Sequence, residues 1–263
     1  MQKRVRVRRD RPSALSWALA LAVTMLAVYL ITLSVPQPND AEETAARGAR
    51  VTREMDLEGV TVYFADLGVW PDALSARVSA AGYAGRGAAA VVYPAEDGFH
   101  VLGAGYSLQA DAERIARRLA SQEGAETGVI QRSAPTASLR ITASEADAEA
   151  IAAADRALRV QLNQAAAMAL QIDRGELPAS SARTLAKVAA SEARKAESAL
   201  AAVAGAAEQP VCAGLIGQLE SLAAELEALA ENGETGAALS GRLRSCHVSG
   251  TLRLIEFLNG LVP

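Results

Sequence analysis

One phrase, written twice, limits what this chain can fold into. ADLGVWPDALSARVSAAG begins at Ala65, and LGAGYSLQADAERIARRLASQEG begins at Leu102. Each carries a strand-like apolar run to a small residue and then an aromatic. A helix-starting residue follows, and an amphipathic run stops at Gly. Aligned without gaps, Gly68 matches Ala104, Trp70 matches Tyr106 and Pro71 matches Ser107. The small residue is expected to turn the chain out of the sheet. The aromatic packs under the next helix, and the third residue starts that helix. Two crossovers onto one sheet follow from this reading.

The segments around the phrase complete the pattern. GVTVYFADLG, from Gly59, alternates and is rich in β-branched and aromatic residues, so it reads as a strand. Pro71-Asp72 opens a helix through about Ala81, closed by Gly82. AAAVVYP and FHVLGAG are two strands around Ala95–Gly98, with Gly98 supplying a positive φ. Ser107 caps a second helix with Ala112, Ile115, Ala116 and Leu119 on one face. Gly124 ends it and TGVIQR is the last strand. The order is β-α-β-β-α-β, the split βαβ arrangement with an antiparallel sheet.

The two flanks are of different character. MQKRVRVRRDR opens the chain with six basic residues against Asp10, and Ala14–Val35 follows without a charge. At about 1.5 Å per residue this run covers the roughly 30 Å hydrocarbon core of a bilayer. Trp17 and Tyr29 lie toward its two ends, where such rings favour the membrane interface. A cleaved signal peptide would have a shorter apolar region and a small-x-small site. Thr32–Pro38 is a poor cleavage signal, so an uncleaved anchor is expected. Basic residues prefer the cytoplasmic side, which places residues 1–13 inside and everything after Pro36 outside. Residues 36–56 read as a polar stalk with helical character from Ala41 to Met55.

From Ser144 onward Ala, Leu, Glu and Arg dominate. Helices are expected at about Ser144–Arg174, Ala179–Ala206, Pro210–Glu231 and Gly236–Leu261, with Gly and Pro in the breaks. Short connections favour an up-and-down bundle over residues 144–263. Residues 133–143 are the expected linker, with a short edge strand at Leu139–Thr142. The fold class is therefore α+β: a transmembrane helix at 14–35, a βαββαβ domain at 57–132 and an all-α domain at 144–263.

Chemistry is sparse. The net charge of −4 speaks against a nucleic-acid partner. There is no H-E-x-x-H, G-x-S-x-G, P-loop or C-x-x-C, and neither His100 nor His247 has the spacing of a metal site. No catalytic residue, metal or cofactor is expected, and the chain reads as a non-enzyme. Cys246 and His247 are adjacent and cannot face one point from a regular helix, so the pair is read as incidental. Outside the cytoplasm a disulfide is permitted, which makes Cys212 and Cys246 a candidate bridge. A plain hairpin turning near Asn232–Gly236 would hold them roughly 15 Å apart along the axes. Another packing would bring them together, and two buried thiols are the alternative.

At this point the residues resemble a known family. Ala65–Trp70, the helix end Gly82-Tyr83, the later strand Phe99–Tyr106, and Ala112 with Leu119 are similar to the motifs of a SPOR domain, the sporulation-related repeat of bacterial envelope proteins. The likeness covers roughly Leu57 to Arg132. It implies an envelope protein on the bacterial cell membrane that binds peptidoglycan glycan strands and serves division, sporulation or wall organisation. The ligand of such domains lies on the sheet face that the helices leave open. Two positions depart from the pattern: Asp66 stands where Gln is common, and His100 where a basic residue is. Period-two alternation puts Val62, Phe64 and Asp66 on one face, beside His100 and Leu102 from the hairpin. Phe64, Asp66, His100 and Leu102 are therefore the candidate glycan-binding residues. Two alternatives stay open. The carboxyl-terminal helices cover this face, or the domain is a scaffold that binds an envelope protein through its sheet and helices.

Overall fold

The computed structural model of the chain describes residues 50–123, 127–203 and 205–262. The expected tail, membrane helix and first part of the stalk lie outside these residues, as does Gly124. Among the described residues no helix is long and apolar enough to cross a membrane. The strands are β1 (Val51–Leu57), β2 (Val60–Trp70), β3 (Val91–Ala95), β4 (Gly98–Tyr106), β5 (Gly128–Ala134) and β6 (Ala137–Ala143). The helices are α1 (Ala73–Ala84), α2 (Gln109–Glu123), α3 (Glu145–Asp173), α4 (Ala179–Ala201), α5 (Pro210–Glu231) and α6 (Gly236–Leu261).

Strands β2 to β5 form a four-stranded sheet in the order β3-β4-β2-β5, antiparallel throughout. The α1 and α2 crossovers pack on one face, where Leu67 and Val101 meet Ala76, Ala80 and Leu119. Helix α1 begins where Asp72 accepts hydrogen bonds from the Ser75 N–H at 2.9 Å and its hydroxyl at 2.7 Å. It runs through Gly82 to Ala84 rather than stopping near Ala81. Ala90 takes φ +55°, which ends the extended run, so β3 starts at Val91 and not Ala88.

The repeated phrase is corrected in one respect. Both strands run on past the small residue to the aromatic, Trp70 in β2 and Tyr106 in β4. Gly68 serves a bulge instead. The β2–β4 pairing slips between Ala65 and Asp66 and again before Val69, and Gly68 sits there at φ +135°. A Cβ on Gly68 would lie 2.9 Å from the Trp70 ring, which folds back over it.

The expected stalk and linker are paired strands. β1 and β6 form a second, two-stranded antiparallel sheet. Its last pair is Leu57↔Ala137, and the next ladder opens at Val60↔Ala134. Two residues intervene on each side, so one register runs from the four-stranded sheet into the ribbon. This pairing corrects the helix expected through Met55: residues 51–55 find their partner in β6. Leu57, Ala134 and Ala137 are buried in the core of the helices, with Met55, Leu139 and Ile141 packed against it.

The four long helices fall within a few residues of their expected limits. α3 is capped by Ser144, whose hydroxyl accepts from the Asp147 N–H at 3.1 Å. α3 packs on α4, α4 on α5, α5 on α6, and α6 returns to α3. The buried side of α4 is Ala182, Ala186, Ala189, Ala190 and Ala193, small residues that let the α5 leucines approach closely. All described residues belong to one unit, Gly48–Pro263.

Candidate functional site

Helix α6 carries two apolar stripes, and this decides the state of the second sheet face. Leu239, Leu243, Leu254, Ile255 and Leu258 enter the bundle core. Val248 and Leu252 enter a different cluster with Val62, Phe64, Ala89 and Leu102 of the sheet side. At about 25 cal/mol per Å² of apolar area, each Val, Leu or Phe side chain closed into this seam contributes roughly 1.5–3 kcal/mol. Gly241 permits the close approach: a Cβ there would lie 2.9 Å from the Ala88 carbonyl oxygen. Gly105 leaves room for the His247 ring, whose Cε1 would stand 3.1 Å from a Cβ. Arg244 fastens the seam, donating to the Gly87 carbonyl at 2.5 Å and pairing with Asp173 of α3.

The four candidate residues do meet on one side of the sheet, but none is open to solvent. Phe64 and Leu102 are fully buried. Asp66 and His100 are 7% and 6% exposed. Over Phe64 and Leu102 the carboxyl-terminal helix α6 covers this face.

Asp66 and His100 form a charge network across the bulge. His100 Nδ1 lies 2.9 Å from Asp66 Oδ2, and Nε2 lies 2.9 Å from Asp97 Oδ1. Asp66 Oδ1 also accepts from the Gly68 N–H at 3.2 Å, so the carboxylate pins the bulge. Ionised carboxylates only accept, so this geometry favours the imidazolium, which donates from both nitrogens. Burial pushes its pKa down, but the hydrogen bonds to Asp97 and Asp66 and their charges prevail, and the value stands above the ordinary 6.5. The His100 hydrogen bond holds Asp97 below its ordinary value. Both ring nitrogens are occupied, which leaves no lone pair to accept a proton from a ligand. The carboxylates sit at opposite edges of the ring and do not converge on one point. Among the described residues no cluster of His, Cys, Asp and Glu has the form of a metal site.

Asp97 escaped the sequence reading, although its place three residues before His100 in a tight turn was a usable signal. His247 was read as incidental and proves to be part of the seam. It is 9% exposed, and burial alone brings its pKa down to about 4. Cys212 and Cys246 are both buried and not joined to each other, which corrects the candidate bridge. Burial raises both thiols above their ordinary value.

No known family model, curated protein or solved structure matches this chain.

Proposed function

We propose that this chain is a non-catalytic scaffold of the bacterial envelope, in which a SPOR-like sheet serves as structure and the assembly acts by holding a protein partner. The uncharged run Ala14–Val35 anchors it in the cell membrane with residues 36–263 outside the cytoplasm. One observation carries the choice of a protein partner over wall glycan. The face that would stack on sugar rings is occupied by Val248 and Leu252 of α6, with Phe64 and Leu102 fully buried beneath them. The polar members of that face are engaged as well. Both Asp66 oxygens already accept hydrogen bonds, from His100 and the Gly68 N–H, and the residue is 7% exposed. Glycan stacking on Phe64 and Leu102 would require α6 to leave both the sheet and the bundle core.

Sedimentation with purified sacculi decides between the readings. The full chain in detergent is mixed with intact wall and with amidase-treated wall, whose glycan has lost its peptides. It is expected to stay in the supernatant in both. Saturable pelleting with the treated wall overturns the scaffold reading and restores glycan binding.

A further inference from the structure

The two crossover helices present different surfaces to solvent. α2 is charged outside, with Arg114 paired to Asp111 at 2.7 Å and Arg117 to Glu113 at 3.4 Å. α1, ALSARVSAAGYA, holds a single charged residue, Arg77. Its inner side, Ala76 and Ala80, is buried on the sheet. Its outer side shows Leu74, 72% exposed, and Val78, 68% exposed, one turn apart, with Arg77 beside them and Ala81 on the next turn. A surface helix places polar residues opposite its buried face, and one that is apolar on both sides is made to be covered.

Ala81, the last member of this stripe, also lines a concave groove of about 480 Å³ between the second half of α1 and the first turns of α6, so the groove adjoins the stripe. Ala81 and Ala84 line one wall and Ala238 and Ser245 the other, with Arg77 and Arg242 also lining it. Small walls admit the close approach of another helix. A flat bilayer does not fill a concavity, and a helix does. The net charge is positive: Arg77 has no ion pair or hydrogen bond among the described residues, and Glu234, which also lines the groove, meets Arg242 only at 3.9 Å. A two-fold dimer through this patch would set two surfaces of net positive charge against each other, which opposes self-docking.

We propose that the outer face of α1 and the α1–α6 groove beside it dock an amphipathic helix of a partner protein, its apolar stripe on Leu74 and Val78 and its flanking carboxylates at Arg77 and Arg242. This names the working surface of the scaffold and rests on that reading.

The probe is a labelled model helix with leucines at i, i+3, i+4 and i+7 and glutamates on the flanks, beside a counterpart with lysine at each glutamate. Fluorescence anisotropy with the full chain in detergent, corrected for empty micelles, reads the binding. The glutamate helix is expected to bind saturably and the lysine helix about tenfold more weakly, the ratio that about 1.4 kcal/mol supports. Val78→Asp abolishes binding of the glutamate helix. Arg77→Glu reverses the preference, and since both positions are exposed the fold survives, as an unchanged thermal melt verifies. Equal binding of the two helices overturns the proposal, as does no saturable binding. Dissociation of a dimer by Val78→Asp makes a second copy the occupant and also overturns it. So does preferential binding of phosphatidylglycerol vesicles that Val78→Asp removes. The two readings fail separately: pelleting with treated wall sinks the scaffold, whereas a chain that neither pellets nor binds the glutamate helix loses only this surface.

Discussion

Acidification from pH 7 to pH 4 tests the seam between α6 and the sheet through His247. The ring lies against Gly105 beside Phe64 and Val62, and burial alone shifts its pKa, so no charged neighbour stabilises the imidazolium. A folded value of about 4 against an ordinary 6.5 means that, between those values, the unfolded chain binds more protons. Stability must therefore fall as pH drops from about 6.5 toward about 4, and the contribution is complete above 6.5. At about 1.4 kcal/mol per pH unit the loss approaches about 3 kcal/mol. His247→Leu removes the titrating group and keeps the site apolar. Urea denaturation of residues 48–263, wild type and variant, is measured at pH 7 and pH 4 by circular dichroism. Every other titration, including that of His100 and Asp97, is common to both proteins and cancels in the double difference. The variant is expected to lose about 3 kcal/mol less than the wild type between the two pH values. Equal losses would refute the argument that His247 is sealed in an uncharged seam.

Three further outcomes follow from named contacts. His100→Asn leaves the Asp66 carboxylate buried without its cation and should cost about 3 kcal/mol at pH 6. Because the folded pKa of His100 is raised, its contribution is complete below 6.5 and fades as pH rises through the folded value, so the cost should shrink by pH 9; a constant cost across urea melts at both pH values contradicts the network. Leu252→Ala should remove about 2–3 kcal/mol by opening a cavity over Phe64 and Leu102, read as a lower urea midpoint at unchanged slope. Gly68→Ala sets a side chain at φ +135° and 2.9 Å from Trp70, for a loss of about 1–3 kcal/mol together with a changed Trp70 emission; an unaltered protein would show that the bulge needs no glycine.

Much of the architecture was legible because it rests on local signals. The limits of the four long helices are written in Gly, Pro and caps such as Ser144, and the sheet order follows from two strand-to-helix crossovers. The expected helix in the stalk does not form because VTREMDL, polar and lacking a local partner, gains its strand only from pairing with Ala137–Ala143, about eighty to ninety residues downstream. Gly68 was seen as special, but whether it turns a chain out of a sheet or relieves a bulge depends on the β4 register, which is a long-range quantity. Asp66, Phe64, His100 and Leu102 were correctly placed on one face by alternation. Their accessibility was not in the alternation at all.

By itself, then, the sequence determined which segments are strands and helices and which side chains share a face, since periodicity and capping act over a few residues. Only the tertiary structure decided what lies against each face. Val248 and Leu252 sit on the same helix as the bundle leucines, and nothing local distinguishes a stripe that seals a sheet from one that completes a bundle core. Packing made that choice, and with it turned an expected ligand platform into an internal seam. It also left the apolar outer side of α1, with Leu74 and Val78, on the surface.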